Sequence, residues 1–203
     1  MDITDSAYAP PCPEVDFPGR EKFIRALDEA VGRGDEHAVT AALRDTLCRA
    51  IRDPDVQLPE CVYAPIEERY ARREIYRSVE LGYSVVAMTW APGQGTPVHD
   101  HCGLWCVEGV WDGELEIRQY ELCERDGDRF RFRSAGGMQA CLGSAGSLIP
   151  PHEYHTIRNT SPNDVAVSLH IYQAAMHACA MFVPQSGEWF TRVDRALGVD
   201  AVR

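Results

Sequence analysis

Two histidines stand two residues apart in the stretch Thr96–Pro97–Val98–His99–Asp100–His101. In an extended chain alternate side chains share a face, so both imidazoles point the same way. An imidazole binds a divalent metal through one ring nitrogen while a hydrogen bond holds the other. A pair at this spacing can fill two adjacent positions on one ion, and a third ligand must come from elsewhere. His155, at the head of a candidate strand, is one source. His152, just after Pro150–Pro151, is another. Taken alone, the pair also reads as a polar turn with solvated histidines.

The elements that must carry these groups follow from hydrophobic period. Phe23, Ile24, Leu27, Ala30 and Val31 fall on one face of a helix opened by Pro18 and ended by Gly32–Gly34. Val39, Leu43, Leu47 and Ile51, spaced by four, predict a second helix over 37–51. A loop follows over 52–64, then a short helix over 67–73. From about Ile75 the period shortens to that of strands broken by Gly, Asp and Asn turns. Strands are expected at 84–90, 104–110, 114–122, 130–134, 146–149, 155–159 and 165–172. The last alternates cleanly, with Val165, Val167, Leu169 and Ile171 on one face and Ala166, Ser168, His170 and Tyr172 on the other. Many short strands without alternating helices predict a β-barrel or jelly roll rather than a doubly wound sheet. We expect a single domain over 1–203, with 1–74 as an N-terminal helical cap and 75–183 as the barrel core.

Composition narrows the partners. The 203 residues hold 20 Lys and Arg against 31 Asp and Glu, a formal charge of −11. That balance argues against nucleic acid and anionic membrane surfaces. No apolar run is long enough for a membrane helix, and MDITDSAYAP has neither a basic leader nor an apolar core. Eight cysteines without a CxxC pair read as reduced thiols in a cytoplasmic protein.

The intervals around the histidines carry a resemblance. Gly93–Gln94–Gly95–Thr96–Pro97–Val98–His99–Asp100–His101, with Gly113 twelve residues further on, resembles the first motif of the cupin superfamily. His155–Thr156–Ile157–Arg158–Asn159 resembles the second. Ser168–Leu169–His170–Ile171–Tyr172, whose tyrosine lies seventeen residues past His155, is similar to a string found in the thiol dioxygenases, the family of cysteine dioxygenase. The resemblance covers roughly residues 76–182, about half of the chain.

It implies a cupin barrel with His99, His101 and His155 as ligands of iron(II), and Ser168, His170 and Tyr172 as a hydrogen-bonded relay beside the metal. Most cupins carry a carboxylate four or five residues after the second histidine; Cys106 stands there in this chain. In animal cysteine dioxygenases the cysteine at that place cross-links to the active-site tyrosine, which matches Cys106 and Tyr172. Glu108 lies off the carboxylate spacing, on the strand parity of Cys106. Arg77, in Tyr76–Arg77–Ser78–Val79, resembles the arginine that holds the substrate carboxylate, with Arg73 as the fallback. Cys179–Ala180–Met181–Phe182 resembles the stretch that closes the pocket. Two features depart from the cysteine enzymes: Gln173–Ala174 replaces their Ser–Pro, and Gly103–Leu104–Trp105 is similar to the 3-mercaptopropionate branch.

The implied activity is addition of both atoms of O2 to the sulfur of L-cysteine, giving cysteine sulfinic acid. The alternative is 3-mercaptopropionate dioxygenase, giving 3-sulfinopropionate. A more distant alternative is a non-catalytic cupin that binds a small molecule or a structural metal, with Cys106 as a fourth ligand. The implied partners are a small thiol carboxylate and O2, with no nucleic acid and no membrane. The expected state is a monomer or homodimer.

Overall fold

The structure, a computed structural model, describes residues 15–202. Residues 1–17, short on hydrophobic periodicity and expected as a lead-in or surface arm, lie largely outside the described residues. Helix α1 spans Arg20–Val31 and buries Phe23, Ile24, Leu27 and Ala30. Its entry is left-handed at Gly19, φ 76°, where a Cβ would come within 2.3 Å of the Asp55 carbonyl oxygen; glycine alone fits there. Helix α2, Glu36–Ile51, starts at Asp35, whose carboxylate accepts from the His37 N–H at 2.9 Å and satisfies one free donor of the first turn. A short 3-10 turn over Glu60–Tyr63 leads into eleven strands.

Five strands form one antiparallel sheet. Its order is β1 (Ala71–Arg77), β2 (Ser84–Trp90), β9 (Ala166–Tyr172), β4 (Cys106–Asp112) and β7 (Ala145–Leu148). The other six are β3 (Val98–His99), β5 (Glu114–Asp126), β6 (Arg129–Cys141), β8 (His155–Arg158), β10 (Ala178–Pro184) and β11 (Trp189–Ala196). They pair in the order β10, β11, β6, β5, β8, β3, and β3 pairs back to β10, so this ring closes. The protein is mainly β, a barrel with two N-terminal helices, as the strand pattern predicts.

Both faces of the five-stranded sheet are buried. Val85, Ala87, Val107, Val167, Leu169 and Ile171 pack on the helices through Phe23, Leu27, Leu43 and Leu47. Val86, Met88, Trp90, Cys106, Val110 and Tyr172 face the barrel interior with Leu115 and Ile157. The alternation read over 165–172 is therefore a division between an apolar face under the helices and a polar-bearing face inside the barrel. The helices lie against the outside of the sheet. They approach closely at Gly109, where a Cβ would stand 2.8 Å from Leu47 Cδ2.

Several sequence expectations are corrected here. Residues 67–73 are not a helix: β1 begins at Ala71, with Arg72 opposite Met88 and Arg73 opposite Ala87. Pairing with β2 overrides the helix propensity of Glu67–Arg73. Strand pairing thus starts before residue 75. It also continues past 183, because β11 joins β10 to β6. Strand β11 is mostly exposed, so it lacks the apolar alternation that marks β9.

Candidate metal centre

The three histidines converge at the junction of β3 and β8. His99 ends β3 and His155 opens β8, and the two are direct cross-strand partners. Their ring centroids are 4.3 Å apart. His101 follows, 5.4 Å from His99 and 5.1 Å from His155. Cys102 (φ 53°) and Gly103 (φ 78°) then turn the chain back toward β4. Ligand atoms of the three lie within 4.8 Å of one another, and all three residues are buried. His152, the other possible third histidine, is exposed.

Hydrogen bonds fix two of the rings. His99 Nδ1 meets the Pro97 carbonyl at 3.2 Å, and His155 Nδ1 meets the Glu153 carbonyl at 2.8 Å. A carbonyl can only accept, so each Nδ1 carries the proton and each Nε2 presents a lone pair. His155 Nε2 and both nitrogens of His101 are buried without a hydrogen-bond partner. Burial, with His155 beside it, pushes His99 down to about 3. Burial likewise holds His101 well below the usual imidazole range. Convergent imidazoles, two of them held neutral by burial and with unpartnered ring nitrogens on His101 and His155, are the donor set a divalent cation requires, so the residues fit a metal. Asn159 plays a structural part: its amide donates to the carbonyls of Trp90 at 2.9 Å and Asp164 at 2.8 Å.

Beside the histidines, β9 contributes Ser168, His170 and Tyr172 on one face. Trp90 Nε1 donates to Ser168 Oγ at 2.9 Å, and Ser168 Oγ lies 2.8 Å from His170 Nε2. The indole can only donate, so the serine proton is free to go to His170 Nε2. That leaves the ring proton on Nδ1, which lies 3.3 Å from Glu108 Oε2. Tyr172 lies nearly parallel to His170, centroids 6.0 Å apart, and meets His101 edge-on at 5.7 Å. The expected three-member relay is thus a Ser168–His170 hydrogen bond plus a ring contact to Tyr172. Burial keeps the Tyr172 phenol protonated, well above its usual range.

Strand β4 supplies two further groups. Cys106 is the direct partner of Tyr172 and Glu108 that of His170. Burial, and then the Glu108 carboxylate, push the Cys106 thiol well up, partly offset by the Arg72 charge. Glu108 is buried and its Oε2 also lies 3.6 Å from His155 Nε2. Spacing alone set Glu108 aside; its strand parity with Cys106 was the signal that places it here.

The arginine assignment is corrected. Arg77 turns its guanidinium onto Glu74, at 2.9 and 2.7 Å, and β1 is bulged between Glu74 and Tyr76. Arg73 points to the helix side, bonding Thr89 Oγ1 at 3.0 Å and the Ala64 carbonyl at 2.8 Å. Arg72 faces inward, lining a cleft with His99, His170 and Tyr172. Its Nη1 donates to the Gly198 carbonyl at 2.9 Å, while Nη2 is buried without a hydrogen-bond partner. Its charge acts on Tyr172, Cys106 and His170. Cys179 lines the same cleft, its thiol raised to about 11 by burial.

A family model described as "Cysteine dioxygenase type I" matches residues 61–185 of this chain. The chain belongs to the cysteine dioxygenase type I family. Among curated members, zebrafish (Danio rerio) cysteine dioxygenase type 1 is 26% identical over 108 residues, covering 52% of each chain. The rat (Rattus norvegicus) protein of the same name is 21% identical over 128 residues, covering 62% of each. The chain thus spans about half to three-fifths of the length of these relatives. Solved structures that overlay on it include the TT1209 protein from Thermus thermophilus, with TM-score 0.43, 21% identity, and coverage of 56% of this chain and 90% of that one. Oxalate oxidase with glycolate overlays with TM-score 0.42 and 19% identity over 58% of each chain. The family match begins just before β1 and ends after β10, so it contains every residue of the histidine cluster. Among the described residues, no helix is long and apolar enough to cross a membrane.

Proposed function

We propose that this chain is a non-heme iron(II) thiol dioxygenase that adds both atoms of O2 to the sulfur of L-cysteine, giving cysteine sulfinic acid. The observation that carries the reading is the unpartnered, buried Nη2 of Arg72 in the same cleft as His99, His170 and Tyr172. A fixed cation beside three metal-ready imidazoles suits a small molecule with a carboxylate at one end and a metal-seeking sulfur at the other. His99, His101 and His155 would hold the iron. When bound, iron(II) supplies a site where a thiolate and dioxygen can exchange electrons. Conversion of RSH and O2 to RSO2H balances without a reducing cosubstrate, because sulfur supplies all the electrons that dioxygen takes up.

The protein's own groups do the positioning. The Arg72 guanidinium takes the substrate carboxylate, a charge-assisted contact strengthened by burial. This sets the sulfur at the histidine end of the cleft and holds it there. The Tyr172 phenol, kept protonated by burial, offers an O–H donor beside His101. Ser168 and His170 fix the wall on which Tyr172 rests. Apolar neighbours Met88, Trp90 and Leu197 exclude water from the same cleft.

The second reading is 3-mercaptopropionate, giving 3-sulfinopropionate, because Arg72 reads only the carboxylate that the two thiols share. The test is oxygen uptake after anaerobic loading with Fe(II). Thiol-dependent uptake above the iron-free control supports the proposal, and the ratio of kcat/KM for the two thiols assigns the substrate. No uptake with either thiol rejects it.

A further inference from the structure

Two cavities reach the interior of the barrel, and their chemistry differs. One is the Arg72 cleft, lined by His99, His170 and Tyr172. The other has a volume of about 90 Å³. It opens at the surface beside Met138, which is 63% exposed, and Gly146. It passes between the buried side chains of Leu115 and Leu148, and its buried end is formed by Glu108, Ser168 and Ile157. Among the described residues, no basic side chain lines it, so it has nothing to hold an anionic thiol carboxylate.

The wall between this cavity and the histidines is one side chain thick. Ile157 lines both cavities. Ser168 lines one, and His170, whose Nε2 is 2.8 Å from Ser168 Oγ, lines the other. Glu108 Oε2 stands 3.6 Å from His155 Nε2. Neither Glu108 Oε2 nor His170 Nδ1 makes a hydrogen bond, so nothing pins the wall at these two atoms. The two reactants of the proposed reaction differ as the cavities do. A thiol carboxylate is charged and needs Arg72. Dioxygen is small, uncharged and apolar, and apolar cavities of comparable size stay dry and take up xenon. Once a thiol fills the Arg72 cleft, that path is closed to the gas.

We infer that the cavity ending on Glu108 and Ile157 is the entry route for dioxygen, separate from the cleft that takes the thiol. The inference rests on the dioxygenase reading of the histidine centre. Gly146 gives the means to close the route. It is the direct partner of Glu108 across β4 and β7, so a side chain there takes the same inward face. Its backbone lies outside the left-handed region, and an added Cβ meets nothing within 4 Å. Gly146→Phe therefore fills the cavity without backbone strain. Met138→Trp covers the mouth from the exposed side of β6 and serves if Gly146→Phe does not fold.

The test has two readouts, neither of which is turnover. Crystals of the wild type under xenon pressure should hold xenon between Leu115 and Leu148. Nitric oxide, an apolar diatomic that binds iron(II), is then mixed in a stopped flow with iron(II)-loaded protein holding L-cysteine, in the absence of oxygen. Its association should be slower by about fivefold or more in the closed variants, at unchanged L-cysteine affinity. Ordered water in place of xenon, or an association rate unchanged in a folded closed variant, overturns the inference and leaves the thiol dioxygenase reading standing. A rate slowed by closure in a protein that never oxidises a thiol refutes the dioxygenase reading while the route for an apolar diatomic stands.

Discussion

Cys106 and Tyr172 are direct partners across β4 and β9, thiol and phenol both inside the barrel. Opposed residues on antiparallel strands hold their Cβ atoms about 4.5–5.5 Å apart, which brings sulfur to the tyrosine ring without backbone movement. A thioether there forms an Sγ–ring carbon bond, expels the thiol and ring hydrogens, and passes two electrons to dioxygen. Protein incubated aerobically with iron and thiol is expected to be lighter by those two hydrogens in intact mass, and Cys106→Ser is expected not to change. Turnover in Cys106→Ser should fall only severalfold, since the link restricts the phenol without supplying a reacting group. An unchanged wild-type mass after many turnovers contradicts the cross-link.

Arg72 and Arg77 separate by what already occupies them. Arg77 has its fork on Glu74, whereas Arg72 keeps a buried nitrogen for a ligand. Losing a charge-assisted hydrogen bond of about 1.5–3 kcal/mol lowers kcat/KM roughly ten- to hundredfold. Steady-state kinetics should show that loss in Arg72→Gln, mostly in KM, and a value near wild type in Arg77→Gln. The reverse order would return the substrate role to Arg77.

The sheet that carries β4 and β9 is braced from outside at Gly109. An added Cβ would stand 2.8 Å from Leu47 Cδ2 and 3.2 Å from Ile51 Cδ1. Gly109→Ala therefore forces α2 away from β4, and overpacking of this kind costs about 1–3 kcal/mol. Urea unfolding should show that loss. Full stability would mean that α2 yields freely.

Acid should weaken the metal-free protein early. In the folded chain burial holds His99 at about 3 and His170 at about 4, with His101 also well below its usual value. Unfolded histidines titrate near about 6.5. Below that pH the unfolded state takes up protons that the folded state refuses, so stability is lost as pH falls from about 6.5 toward 4. The slope approaches about 1.4 kcal/mol per pH unit for each group. Urea midpoints at neutral and mildly acidic pH check this. Zinc-loaded protein should lose less, because the ion binds the folded state alone. A flat response would place these rings in contact with water.

The sequence carries the histidines and the β9 string plainly, because ligand spacing and strand period are both short-range signals. His99, His101 and His155 meet as the HxH pair and the later histidine suggest, and β9 divides its faces along the alternation visible in Val165–Tyr172. The substrate-side arginine is different. Its identity depends on the parity of β1, and three arginines within six residues are separated by pairing and a bulge that no local signal marks. Glu108 shows the converse: strand parity already puts it on the face of Cys106, and only a fixed expectation about spacing sets it aside. The exposed β11 offers no apolar period, so its place in the ring emerges from pairing with β6 and β10.

Above all, both oxygen atoms of one dioxygen should reach the sulfur of a small thiol carboxylate at this centre. Iron(II)-loaded protein should be turned over with L-cysteine under 18O2 and the product analysed by mass spectrometry. The expected product is a sulfinate carrying two 18O atoms, formed only with iron and lost in His155→Ala. A product that is disulfide, or a sulfinate whose oxygens come from water, would contradict a dioxygenase at this site.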